Sequence, residues 1–327
     1  MQELWIFIVI IIIIFIVFIL YQSKKNNTSK KSINTNDINL EGINLENNNS
    51  NDISQDKIIR DGYDYMKTQK LIIAGLIRDR QDIIPHLIKK LESMGQFFKD
   101  YRILIVENDS RDKTRQLLID WSKNNNKVIL IDCENEGSCM LNLEQTKNHL
   151  PERKRIAKMA YLRNMYLDYV KKHYNDYDYL LVTDYDITGS FYMNGIANSF
   201  YHFSASQTEN QNIDAIGANG IRKIHNYWIY YDAFPYIEID EPHEWRTLEE
   251  YYQHDKKVYS QKPYNFGDPL HPVKSCFAGA VFYRINKITP TSEYNYSKTG
   301  YGCEHVYFNL NFKMYLNPSM IYHVIDH

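Results

Sequence analysis

Apolar and polar positions divide the chain into three regimes. Residues 4–20, LWIFIVIIIIIFIVFIL, are apolar on every face. A stretch of roughly 17 such residues is at the short end for a membrane span, and it leaves no polar side for a soluble helix. No basic start or small-residue cleavage site accompanies it, so residues 1–21 read as an uncleaved anchor. Residues 22–67 are rich in Asn, Ser, Asp and Lys, and their isolated Ile and Leu lack a period. That composition predicts a disordered stalk.

From residue 68 onward two periods alternate. KLIIAGLI (70–77), YRILIV (101–106), KVILI (127–131) and 177–187 read as buried strands. Between them, 85–98, 111–122 and 153–173 read as amphipathic helices. Ile84, Leu87, Leu91 and Met94 share one face of the first, and Ile156, Ala160, Met165, Leu167 and Val170 line the last. Such alternation predicts a mostly parallel sheet covered on both faces, with ligands beyond the carboxyl ends of the strands. After Ile187 the pattern changes. Strands are expected near 213–218 and 278–284, separated by a long Tyr-rich segment. A turn into a helix follows over 300–312, and a last strand over 319–325. The globular part, 68–327, therefore divides into halves at 68–187 and 188–327.

The strand at 177–187 ends on two carboxylates. Asp184 and Asp186 are two apart, so in extended backbone both point to one side. Two hard oxygen ligands there suit a divalent cation carrying a diphosphate. Asp is also common in strand-ending turns. The formal net charge of -2 offers no basic surface for nucleic acid. The four cysteines, Cys133, Cys139, Cys276 and Cys303, contain no C-x-x-C pair, which argues against a structural zinc site. Two disulfides (133–139 and 276–303) and four reduced thiols are both allowed.

Four further segments give the chain its resemblance to GT-A fold glycosyltransferases, the nucleotide-sugar enzymes with an Asp-x-Asp site. Val106-Glu107-Asn108-Asp109-Ser110-Arg111-Asp112-Lys113-Thr114 is similar to the strand-end segment that contacts the base. Arg163-Asn164 is similar to an A-R-N element preceding the acidic pair. Gly302-Cys303-Glu304-His305-Val306 and Pro318-Ser319-Met320-Ile321-Tyr322-His323-Val324 are similar to late segments of the polypeptide GalNAc transferases. Cys303, His305 and Tyr322 depart from that subfamily. The layout also resembles fungal capsule and mannan mannosyltransferases.

The resemblance, covering 70–327, implies an α/β GT-A fold: a Rossmann-like mixed sheet with helices on both faces, behind the anchor and stalk. It implies a UDP- or GDP-linked donor, a glycan, protein or lipid acceptor, and Mn²⁺ or Mg²⁺. Asp186 and His323 are the expected metal ligands, with His327 as the alternative histidine, and Asp184 serves the ribose or the metal. Asp109 and Arg163 would bind the donor, and Glu304 would be the general base or orient the acceptor. Solvent-facing Glu at a helix start, Asp109 as a helix cap and Arg163 in an ordinary ion pair are the competing readings. Gly279, in Ser275-Cys276-Phe277-Ala278-Gly279-Ala280, would let a sugar approach. Trp228 and Trp245, with Tyr227, could stack on it or simply pack a core.

Two other functions fit parts of this pattern. A GT-A-fold receptor would bind glycan or nucleotide without turnover. A nucleotidyltransferase would need a glycine-rich basic loop after the first strand, where 74–80 has one glycine. Membrane orientation is opposed by two signals. Lys24, Lys25, Lys30 and Lys31 favour a cytoplasmic C-terminal part. Sequons at Asn26, Asn27 and Asn48 and the resemblance favour a lumenal one, which is the expectation adopted.

Overall fold

The computed structural model describes residues 52–132, 153–208, 212–225, 227–260 and 264–325. In chain order its elements are α1 (Asp52–Met66), β1 (Lys70–Ile77), α2 (Ile84–Gly95), β2 (Asp100–Glu107), α3 (Thr114–Asn124), β3 (Val128–Asp132), α4 (Arg153–His173), β4 (Tyr179–Thr183) and β5 (Thr188–Phe191). There follow α5 (Met193–Thr208), β6 (Ala215–Ile224), β7 (Tyr227–Tyr230), α6 (Leu248–Ser260), β8 (His271–Val273), β9 (Ala280–Arg284), α7 (Glu304–Asn309) and β10 (Met314–Ile325).

Among the described residues one mixed sheet holds every strand, in the order β3-β2-β1-β4-β9-β6-β10-β5, with β7 on β6 and β8 on β10. β1 to β4 are mutually parallel, as their strand–helix alternation predicts. β9 then pairs antiparallel with both β4 and β6. Because side chains alternate along a strand, the sheet builds two cores. Ile72, Leu104, Leu180 and Val182 face α4 through Tyr166 and Leu167. Leu71, Ile103, Tyr179 and Leu181 face the other way, against Leu87 and Leu91 of α2 and Phe200 of α5. All five residues of β4 are buried, so its carboxyl end emerges from the middle of the sheet.

The helix at 153–173 matches expectation to the residue, and β1 does so too. The expected stalk at 22–67 is corrected at its end, because 52–66 form α1, whose Met66 is buried among the residues facing α2 and α5. The last strand starts at Met314 rather than 319. Pro318 is accommodated where the β10–β6 register shifts between Asn317 and Ile321. Cys276 and Cys303 are free and buried, which corrects the 276–303 pairing. Cys276 Sγ packs over Gly217, while Cys303 Sγ faces Glu304. Cys133, Cys139 and the apolar run 4–20 lie outside the described residues. Among the described residues no helix is long and apolar enough to cross a membrane.

Candidate active site

The acidic turn after β4 is fastened from both sides. Thr183 Oγ1 donates to Gly279 O at 2.7 Å, and the Asp184 amide donates to the same carbonyl at 3.2 Å. Presenting that carbonyl requires a left-handed bend, with φ of +49° at Ala278 and +83° at Gly279. Tyr185 drops into the core, its ring lying directly over Gly75. With Tyr185 as the buried peg, the flanking Asp184 and Asp186 turn the other way. Asp184 is half-buried and Asp186 exposed.

Several charged groups converge on this turn. Tyr231, directly after β7, donates its hydroxyl to Asp184 Oδ2 at 3.4 Å. Lys90 of α2 donates to Tyr322 OH at 3.0 Å, and burial lowers its ammonium to about 8 against the pull of Asp184 and Asp186. Burial, then the Asp186 and Asp232 carboxylates, pushes the Asp184 carboxyl well above its usual range, opposed by Arg163 and Lys90. Asp232 itself has a left-handed φ of +65°. Burial and then Glu304 raise its carboxyl to about 7, against Arg163 and Arg155.

Behind the turn, α4 and α7 meet in a buried ion pair, Arg163 Nε to Glu304 Oε1 at 3.0 Å. The side chains are 6% and 5% exposed, and Cys303 Sγ faces Glu304 Oε2 at 3.5 Å. Glu304 is therefore neither the accessible base nor the solvent-facing helix start that its sequence position suggests. Arg163 is held in the pair rather than extended toward a diphosphate. Next to them His305 stacks on Phe277 at 3.9 Å, with neither ring nitrogen hydrogen-bonded.

The loops after β1 and β2 interlock. Asp79 Oδ1 accepts from the Arg111 amide at 2.6 Å, and Ser110 Oγ accepts from the Asp79 amide at 3.0 Å. Asp112 accepts from the amides of Thr114 and Gln81, so it, and not Ser110 or Asp109, tethers the start of α3. Buried Glu107 accepts from the Ser110 amide and from Arg115, each at 2.6 Å. Asp109 is left partly exposed at φ +54°, with Lys158 of α4 and Arg78 within electrostatic reach of one another.

The other expected site residues lie elsewhere. His323 pairs in register with Ser190 and Ile221, and its ring abuts Trp228 at 5.3 Å. It alternates with Tyr322, which faces the acidic turn, and so points away from it. His327 lies outside the described residues. Among the described residues no three His, Cys, Asp or Glu form a metal-holding group. Trp245 is 6% exposed and packs on His254 at 4.3 Å. It borders a cavity of about 520 Å³ with Glu241 and Lys257, which pair with each other. Gly279 does not face open space, because a Cβ there would strike the Tyr322 ring.

Lys90, Tyr231 and Asp232 were not legible as site residues, whereas Glu107 lay in the 106–114 segment without a role of its own. Of the three, only Lys90 carried a signal. Its spacing from Leu87 and Met94 sets a cation beside the buried face of α2.

A family model described as "Cryptococcal mannosyltransferase 1" matches residues 70–312. No curated protein matches the chain. Among solved structures, the mannosyltransferase PcManGT from Pyrobaculum calidifontis, in complex with GDP-Man and Mn2+, is 8% identical with a TM-score of 0.42. The match covers 84% of this chain and 65% of that one. S. aureus TarS 1-349 is 12% identical with a TM-score of 0.37, covering 78% and 60%. The chain thus spans less than two thirds of either structure's length.

Proposed function

The chain belongs to the Cryptococcal mannosyltransferase 1 family, and from that premise we propose that it transfers a sugar from a nucleoside-diphosphate donor to a glycan, protein or lipid hydroxyl. One observation carries the reading. Asp184 and Asp186 stand together on the turn leaving the central strand, beside Asp232 and the Arg163–Glu304 pair. The donor is UDP- or GDP-linked, with mannosyl donors first because of the family's description.

The donor set fits a hard divalent cation, Mn²⁺ or Mg²⁺. Two carboxylates crowd each other with negative charge, and burial makes that charge costly without a cation. Asp184 and Asp186 would hold it. When bound, such a cation supplies Lewis-acid stabilisation of the departing diphosphate. The chain's own residues do the rest. Asp109, Lys158 and Arg78 line the nucleotide end, where the interlocked loops fix their spacing. Tyr231 and Gly279 hold Asp184 in place.

Nucleotide release from a donor panel tests this. Turnover should stop with chelator, return with Mn²⁺ or Mg²⁺, and fall about 10²-fold or more in D186A. Intact turnover in that variant would overturn the assignment.

We further propose that residues 4–20 anchor the chain in a secretory membrane with the catalytic part lumenal, on the strength of the apolar run and the stalk sequons. Protease treatment of sealed vesicles should leave 68–327 protected. Digestion without detergent would place it in the cytoplasm.

A further inference from the structure

We propose that Asn295 is an N-glycosylation site, carrying an oligosaccharide on the loop between β9 and α7. The proposal rests on the lumenal placement of the catalytic part given above. Asn295-Tyr296-Ser297 is an Asn-x-Ser sequon, and unlike those of the stalk it lies among the described residues of the domain. Residues 288–300 form neither helix nor strand, and Asn295 is exposed on that stretch. A bulky, solvated glycan needs such a surface position.

The loop is strapped down on either side of Asn295, which leaves that side chain outward. The Tyr294 amide donates to Asn164 Oδ1 at 2.8 Å, and Asn164 Nδ2 donates back to Tyr294 O at 2.9 Å. Tyr294 is buried, its ring stacked on Phe308 at 4.3 Å. Beyond the site, Ser297 Oγ accepts from the Gly300 amide at 2.6 Å, and Arg153 Nη2 donates to Thr299 O at 2.6 Å. Between these anchors Asn295 makes only local contacts. Its Oδ1 accepts from the Tyr296 amide at 2.8 Å, and its Nδ2 donates to Glu293 Oε1 at 3.4 Å. A glycosylated amide keeps its carbonyl and one N–H, so it can still make both bonds. Ser297 is 6% exposed, so the sequon's hydroxyl is hidden once the loop closes, and the glycan must be added before the domain folds. A second sequon in the domain, Asn108-Asp109-Ser110, has the opposite placement. Asn108 is 7% exposed and its amide donates to Ile77 O at 3.3 Å, so a glycan there is incompatible with the fold. Folded chains are therefore bare at Asn108.

The co-reactant is an oligosaccharide carried on a lipid diphosphate, delivered by an oligosaccharide-transferring enzyme of the secretory membrane. One N–H bond of Asn295 Nδ2 breaks, its proton passing to a base of that enzyme and then to solvent. The nitrogen bonds to the anomeric carbon of the oligosaccharide. The bond from that carbon to the lipid diphosphate breaks, its electron pair leaving with the diphosphate.

The test uses the full chain, expressed in a eukaryotic cell that N-glycosylates its secretory proteins, and mass spectrometry of its tryptic peptides. The peptide 288–298 holds Asn295 as its single Asn, and 103–111 holds Asn108 as its single Asn. In the native chain 288–298 should carry a glycan whose enzymatic release leaves a carboxylate in place of the Asn295 amide, while 103–111 should be bare. N295Q should lose that glycan, seen as faster electrophoretic migration, whereas S297T, which keeps both the sequon and the hydroxyl, should retain it. The native peptide map alone decides the matter, so no variant has to fold. A bare Asn295 in a chain whose residues 68–327 are protected from protease in sealed vesicles overturns the proposal alone. So does a folded chain glycosylated at Asn108. A bare Asn295 in a chain digested without detergent overturns both this proposal and the lumenal placement beneath it.

Discussion

Gly279 shows how a single residue can be noticed for the wrong reason. Its lack of a side chain suggests room for a substrate ring, but the room is already taken by Tyr322. What the position supplies is a carbonyl, aimed at Thr183 Oγ1 and the Asp184 amide by a left-handed bend. Gly279→Ala should therefore act twice. A left-handed non-glycine backbone costs about 1–3 kcal/mol, to which the ring clash adds. The shifted carbonyl would also loosen the Asp184 turn. The expected outcome is a lower melting temperature together with a weaker Mn²⁺ requirement curve for nucleotide release. A variant with native melting and native metal dependence would show that the turn is held by something else. Asp232 is the opposite case. It sits in no motif, and its raised carboxyl comes from burial and then from Glu304, 72 positions later in the sequence, against the pull of Arg163 on another helix. No pattern within the chain could have shown it.

At the scale of elements, legibility followed length and period. The 21-residue α4 and the 8-residue β1 were readable because a long 3.6 period and a long apolar run have few alternatives. β5 and β7 have four residues each and β8 three, too short for any period to register. β10 was half-read because Pro318 normally ends a strand, whereas here the register shift absorbs it. The same limits explain the site. The expected strand ran through Asp184 and Asp186, but β4 ends at Thr183 and the two carboxylates sit on the turn beyond it, either side of buried Tyr185. Glu304 and Arg163 were noticed separately, but the sequence could not show that α4 and α7 bury them against each other. A pair of this kind is strongly destabilised by removing one partner. The pair joins α7 to α4 behind the acidic turn.

The whole molecule begins earlier than its composition suggests. Ile59, Gly62, Tyr63 and Met66 follow a helical i, i+3, i+4, i+7 spacing within the polar tract. Gly62 hides this pattern, since an isolated glycine normally weakens a helix. In the structure it lets α1 approach α5 closely, because a Cβ there would collide with the Ala197 carbonyl. Tyr63 OH then donates to Asn194 Oδ1 at 3.0 Å, and Tyr65 OH lies 3.1 Å from Tyr179 OH. Tyr179 opens β4 and also receives Arg284 Nη1 at 2.9 Å, so α1 is joined to the strand that ends at the acidic turn. A chain beginning at Thr68, as a stalk reading would cut it, should lose about 3–6 kcal/mol from the burial of Met66 and the partial burial of Ile59, Tyr63 and Tyr65. For a domain of this size that corresponds to melting roughly 10–20 °C below a chain beginning at Asp52. Gly62→Leu in the longer chain should reproduce much of the loss by wedging α1 off α5. Equal melting of the two chains would restore the stalk to residue 67 and make α1 an ornament of the fold rather than part of it.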